Sequence, residues 1–90
     1  MPAPALSVVV PLYNEEASVP PLVEQLLSVL RPLHATFELV LVDDGSHDGT
    51  PAVLRDLAER VPELVVVLLR RNYGQTAAMA AGFEIGRAHV

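Results

Sequence analysis

Two acids in a row at the end of an apolar run are the residues best placed to do chemistry in this chain. Leu39-Val40-Leu41-Val42 leads directly into Asp43-Asp44-Gly45-Ser46. Carboxylates are costly inside a covered sheet, so the pair is expected just past the carboxyl end of a strand, where open α/β sheets hold their ligands. There a carboxylate can accept from a pyrimidine or purine N–H, or the pair can ligate magnesium or manganese through hard oxygen atoms. Nucleotide contact ranks above metal, because side chains adjacent in sequence often diverge in direction. The plain alternative is a polar turn, since Asp, Gly and Ser are ordinary turn residues.

Other residues add to this chemistry. Tyr13 offers a flat ring for stacking on a base. Glu15 is equally readable as a ligand contact, a loop support or a solvated acid. Arg70 and Arg71 are candidates for phosphate contact, with solvated surface arginines as the alternative. The amides that open a helix near Gly74 and Gln75 are a further candidate for phosphate. His34, His47 and His89 show no metal-ligand spacing and read as exposed loop residues.

The elements that must position these residues follow from hydrophobic spacing. Leu6 to Val10 reads as a first strand stopped by Pro11. Ser18 is a candidate cap for a helix whose first turn holds Pro20 and Pro21 and whose apolar face is Leu22, Val23, Leu26, Leu27 and Leu30, closed by Pro32. Phe37 to Val42 is a second strand. Thr50-Pro51 reads as a cap and first-turn proline for a helix that buries Val53, Leu54, Leu57, Ala58 and Val61. Leu64 to Leu69 is a third strand, and a helix is expected from Gln75 to Phe83. The order β-α-β-α-β-α with short connections predicts right-handed crossovers and a parallel sheet. The three strand-to-helix loops, Pro11 to Glu16, Asp43 to Gly49 and Arg70 to Gly74, then emerge at one edge, and the unusual polar residues are concentrated in them. That asymmetry favours a functional site over a set of plain turns.

Composition narrows the classes. Ninety residues with 51% hydrophobic content fit one small packed domain rather than a disordered chain. A net charge of −5 argues against a nucleic-acid partner. The absence of cysteine excludes disulfides and thiolate metal sites. No apolar run approaches the ~20 residues of a membrane-spanning helix, and the start of the chain lacks the pattern of a signal peptide. A cytoplasmic protein is the expectation. There is neither a G-x-G-x-x-G after the first strand nor a Walker-type loop, so nicotinamide enzymes and P-loop enzymes lose their main signature. A phospho-accepting receiver domain also fits badly, because its acid pair would follow the first strand.

Three segments together resemble a known family. Val10-Pro11-Leu12-Tyr13-Asn14-Glu15-Glu16, Val42-Asp43-Asp44-Gly45-Ser46-His47-Asp48-Gly49-Thr50 and Arg71-Asn72-Tyr73-Gly74-Gln75-Thr76-Ala77-Ala78-Met79 are similar, in this order and spacing, to the start of an inverting family 2 glycosyltransferase. The third segment most resembles the polyprenyl-phosphate branch, similar to dolichol-phosphate mannosyltransferase. The implied architecture is the three-layer, Rossmann-like nucleotide-binding half of the GT-A fold, truncated. By this resemblance Pro11, Tyr13 and Glu15 line the nucleoside pocket, and Asp43 or Asp44 binds the base of a UDP- or GDP-sugar. The implied reaction moves the sugar to a polyprenyl phosphate in cell-envelope glycan or glycolipid synthesis. Mg2+ or Mn2+ is implied for the full-length enzyme, with its ligands outside this chain, and that enzyme is expected at the cytoplasmic face of a membrane. The alternative is a non-catalytic nucleotide-binding or interaction module.

The resemblance also divides the chain. Residues 1–5 read as a disordered tail and residues 6–83 as the donor-nucleotide part. The family's Asp-x-Asp metal motif and its acceptor half lie beyond these residues, so the fragment alone is expected to be inactive. Residues 84–90 depart from the family. They can be encoded by GAG ATC GGA AGA GCA CAC GTC, which resembles a short-read sequencing adapter, and are expected to be a non-native tail in which Arg87 and His89 carry no function.

Overall fold

Apolar residues alternate in direction along each strand and thereby fix which helix covers which face. The computed structural model describes the backbone of residues 4–87 and the side chains as far as residue 85. The strands are β1 (Leu6–Leu12), β2 (Phe37–Asp43) and β3 (Leu64–Leu68), and the helices are α1 (Val19–Leu30), α2 (Thr50–Arg60) and α3 (Gln75–Arg87). They form one sheet in the order β1-β2-β3, with both pairings parallel. Leu39 and Leu41 of β2 pack with α1 and α2, in company with Val8 and Val10 of β1 and Leu64 and Val66 of β3. Val40 and Val42 point to the opposite face, where Ala78 and Ile85 of α3 cover them. The result is the expected three-layer α/β arrangement with β2 buried on both faces, which is why its sequence shows no polar alternation.

Several local expectations are corrected. Pro11 lies within β1, whose ladder runs on to Leu12 opposite Asp43. A proline is tolerated there because β1 is an edge strand of the described sheet and its other side requires no donor. Ser18 occupies the cap position of α1 but makes no side-chain capping bond. It adopts helical dihedrals, a conformation unlike the extended one in which a cap side chain reaches back to the first turn. The cap position of α2 is Gly49 rather than Thr50, and the capping is done by Asp48, whose Oδ1 accepts from the Thr50 amide at 2.9 Å. After Leu30 the chain tightens into a 3-10 turn, Arg31–Leu33, that contains Pro32. The Ala5 amide, within the segment expected to be a tail, donates to the Thr36 carbonyl at 3.0 Å.

Helix α3 passes beyond Phe83, so Glu84 and Ile85 belong to it. The close seat of α3 on the sheet is made possible by Gly82, where an added methyl would collide with the side chains of Val9 and Val42. Residues 1–3 and 88–90, including His89, lie outside the described residues.

Candidate functional site

Strand register levels the three loops. Leu12 stands opposite Asp43, and Asp43 opposite Leu68, so the strands finish in one row and their loops begin at the same height. The two acids at the centre of that row are almost fully buried, Asp43 at 1% and Asp44 at 3% exposure. Buried carboxylates require hydrogen-bond partners, and these two find them in different directions.

Asp43 turns toward its own loop. Its Oδ2 accepts from the Ser46 amide at 3.1 Å and its Oδ1 from the Ser46 hydroxyl. The same hydroxyl oxygen accepts from the Asn14 amide at 2.8 Å, and Asn14 Oδ1 accepts from the His47 amide at 2.9 Å. Asn14 has a left-handed backbone, φ +51°, a conformation asparagine tolerates better than most residues. The first loop is thus moored to the second through Ser46. Thr50 provides another tie, since its hydroxyl oxygen accepts from the Glu15 amide at 3.0 Å while donating to Asp48. The hydrogen bond from Thr50 holds the Asp48 carboxyl below the usual aspartate range, against a smaller desolvation effect, with backbone amides adding to the lowering.

Asp44 turns toward the third loop. Its Oδ1 accepts from the Tyr73 amide at 2.8 Å, and its Oδ2 from the Gly74 amide at 3.0 Å and Asn72 Nδ2 at 3.1 Å. Asn72 Nδ2 also donates to the Asp44 carbonyl at 3.2 Å. Gly45, at φ +72°, brings the second loop against the third so closely that a methyl there would fall on the Arg71 carbonyl carbon. Glycine is required for the conformation and for the contact alike.

Between the loops lies a cleft of about 320 Å³ lined by Pro11, Leu12, Tyr13, Glu15, Asp44, Asn72, Gly74 and Gln75. Pro11, Tyr13, Glu15, Asp44 and Gly74, all expected from the sequence, come together here. Asp43 is buried and does not line the cleft. Arg70 is exposed and lies outside the lining, and Arg71 places its guanidinium 4.9 Å over the Tyr73 ring. Gly74 commits its amide to Asp44, so that N–H is already occupied. Tyr13 keeps 41% exposure, with the His47 ring edge-on at 6.5 Å.

Residues 7–89 match the profile of Glycosyl transferase family 2. This chain belongs to that family. The matched range of this family 2 chain extends into the segment expected to be foreign. An undecaprenyl-phosphate 4-deoxy-4-formamido-L-arabinose transferase of Aeromonas hydrophila is 49% identical over 94% of the chain, which spans 26% of that relative. The enzyme of the same name from Pseudomonas paraeruginosa is 51% identical over 99% of the chain and again 26% of the relative. The family 2 chain therefore spans about a quarter of the length of the curated relatives it matches. A mannosyltransferase from Pyrobaculum calidifontis, solved in complex with GDP-Man and Mn2+, superposes on 92% of the chain with a TM-score of 0.69 and 32% identity, the match covering 24% of that structure. S. aureus TarS 1-349 superposes on 88% with a TM-score of 0.72 and 28% identity, covering 23% of its own chain. These likenesses establish the three-layer sheet as part of a GT-A glycosyltransferase domain.

Among the described residues of this family 2 chain, no three His, Cys, Asp or Glu side chains gather to hold a metal ion. The strand-end acids are engaged in hydrogen bonds instead, so the residues present do not fit a divalent cation. No helix of the described residues is long and apolar enough to cross a membrane. Sequence reasoning assigned no role to Ser46 or Asn72, and to Thr50 only that of a helix cap. Serine, threonine and asparagine in loops are too common to mark a contact between segments some thirty residues apart in sequence.

Proposed function

We propose that this chain is the donor-nucleotide part of a transferase that moves a sugar from a UDP- or GDP-sugar to a polyprenyl phosphate, with inversion at the anomeric carbon. The observation that carries this reading is the cleft in which Pro11, Tyr13, Glu15 and Asp44 meet at the carboxyl edge of the sheet. Its volume lies at the small end of the range for ligand pockets, which suits a nucleoside better than a whole nucleotide-sugar. Tyr13 presents a half-exposed ring for stacking on the base. A carboxylate has about four lone-pair positions, and three donors occupy those of Asp44. One position remains for an N–H of the base. Glu15, anchored through its amide to Thr50, is assigned to the ribose side of the cleft. Asp43 supports Ser46 and the first loop. Gly74 forms wall, and Arg70 has no assigned contact.

In the reaction, an oxygen of the lipid phosphate attacks the anomeric carbon as the bond to the nucleoside diphosphate breaks. The acceptor is already an oxyanion, so less general-base help is needed than for a hydroxyl. We assign the Mg2+ or Mn2+ of the full enzyme to ligands outside the described residues, and the enzyme itself to the cytoplasmic face of a membrane that holds its lipid acceptor. The names of the relatives support the acceptor class, and GDP-Man in the archaeal structure supports the donor class.

A chimera tests the proposal. The chain replaces the matching N-terminal quarter of the Aeromonas hydrophila transferase, and sugar transfer to undecaprenyl phosphate is measured. Transfer that is lost on adding Asp44→Ala, with the fold kept by circular dichroism, is the expected result. A folded chimera without activity overturns the transferase reading and favours the non-catalytic module. The 90-residue chain by itself is expected to transfer nothing.

A further inference from the structure

We propose that Asn72 is a positioning residue, one that fixes the direction of the Asp44 carboxylate and thereby sets the affinity of the cleft for the base; this rests on the reading of Asp44 as the base contact. The argument begins with the amide of Asn72. Its Nδ2 lies 3.1 Å from Asp44 Oδ2 and 3.2 Å from the Asp44 carbonyl oxygen. Both neighbours are acceptors, so the NH2 end must face Asp44. One side-chain nitrogen therefore ties the carboxylate of Asp44 to the backbone of the same residue. That bridge narrows rotation about the Asp44 side chain and so helps keep the carboxylate turned into the cleft.

The other two donors to this carboxylate are the backbone amides of Tyr73 and Gly74. They follow Asn72 directly in the chain, so the third loop is wrapped around Asp44 and α3 begins immediately after it, at Gln75. Asn72 supplies the side-chain donor of the three. Its removal leaves one amide on each oxygen and a carboxylate with more rotational freedom, so the remaining lone pair is less narrowly directed. Asn72 itself lines the cleft, so a direct contact with the ligand is the rival explanation that an experiment must separate.

The full chain is compared with Asn72→Ala by amide hydrogen exchange and by titration calorimetry. Loss of one hydrogen bond to a charged group is expected to lower protection of the Tyr73 and Gly74 amides by about tenfold. Unchanged protection overturns the inference without reference to any nucleotide. In calorimetry, Asn72→Ala is expected to weaken UDP or GDP, whichever binds, by about tenfold while leaving the base-free probes ribose 5-phosphate and pyrophosphate unaffected. Combined with Asp44→Ala, or with Asp44→Asn where the alanine variant does not fold, Asn72→Ala is expected to have no additional effect. A full Asn72→Ala effect in that background shows direct contact and overturns the positioning role. Nucleotide affinity that survives loss of the Asp44 carboxylate, alongside lowered amide protection in Asn72→Ala, overturns the nucleotide reading of Asp44 instead.

Discussion

At the carboxyl edge of the sheet, Asp43 and Asp44 are buried and spend their oxygens on neighbouring loops. At the amino edge, the Arg31 guanidinium reaches Glu63 with paired contacts of 3.0 Å that remain in solvent. The same three parallel strands end in both places. The difference lies in dielectric and in chain ordering. An exposed ion pair is screened and adds little to stability, whereas a buried carboxylate stripped of its donors is expensive. The carboxyl edge is therefore the one whose geometry is tightly specified, and it is the edge that carries the cleft.

Substitutions can break or sharpen this contrast. Gly45→Ala should have the largest effect, about 3 kcal/mol, because it combines a left-handed backbone with a collision against the third loop. Urea unfolding measures it, and an unchanged midpoint would show that the loops are not in the close contact described. Gly82→Ala should cost about 2 kcal/mol by lifting α3 from Val9 and Val42. Because this contact lies on the face of the sheet and away from the cleft, nucleotide affinity should be retained; a parallel loss of affinity would blur the distinction between face and edge. Ser46→Ala should cost about 1 kcal/mol and loosen the first loop, seen as faster exchange of the Asn14 amide, which donates to the Ser46 hydroxyl.

The amino edge should respond least. The hydrogen bonding that Arg31 donates to Glu63 holds the Glu63 carboxyl below its usual range and raises the Arg31 guanidinium above its own. A carboxyl with a folded-state value below its unfolded one contributes stability above the ordinary glutamate range, and the contribution is lost as pH falls through the lowered value. Arg31→Ala should therefore slightly flatten the acid limb of a melting-temperature profile and leave the neutral plateau nearly unmoved. A large loss at neutral pH would show that the amino edge is as tightly specified as the carboxyl edge.

Much of this could be read before the fold was known. Three apolar runs and two amphipathic stretches between them dictated parallel β-α-β units, because periodicity follows directly from which faces are buried. The convergence of the three loops followed in turn. What misled was local capping chemistry. Thr50 next to Pro51 looks like a cap, yet Asp48 performs that task and Thr50 is buried between two loops. Pro11 looks like a strand terminus, yet the edge position of β1 lets the ladder continue past it.

The sequence by itself determined the order of elements, the edge that holds the polar residues and the family resemblance, since these depend on residue type and spacing. Only the tertiary structure separated Asp43 from Asp44. Side chains adjacent in sequence at a strand end diverge, and which of them meets the third loop depends on where the β3 register places Asn72, Tyr73 and Gly74. The first acid was thereby committed to Ser46 and the second to the cleft and its clamp, because long-range hydrogen bonds are set by packing rather than by neighbours in the chain.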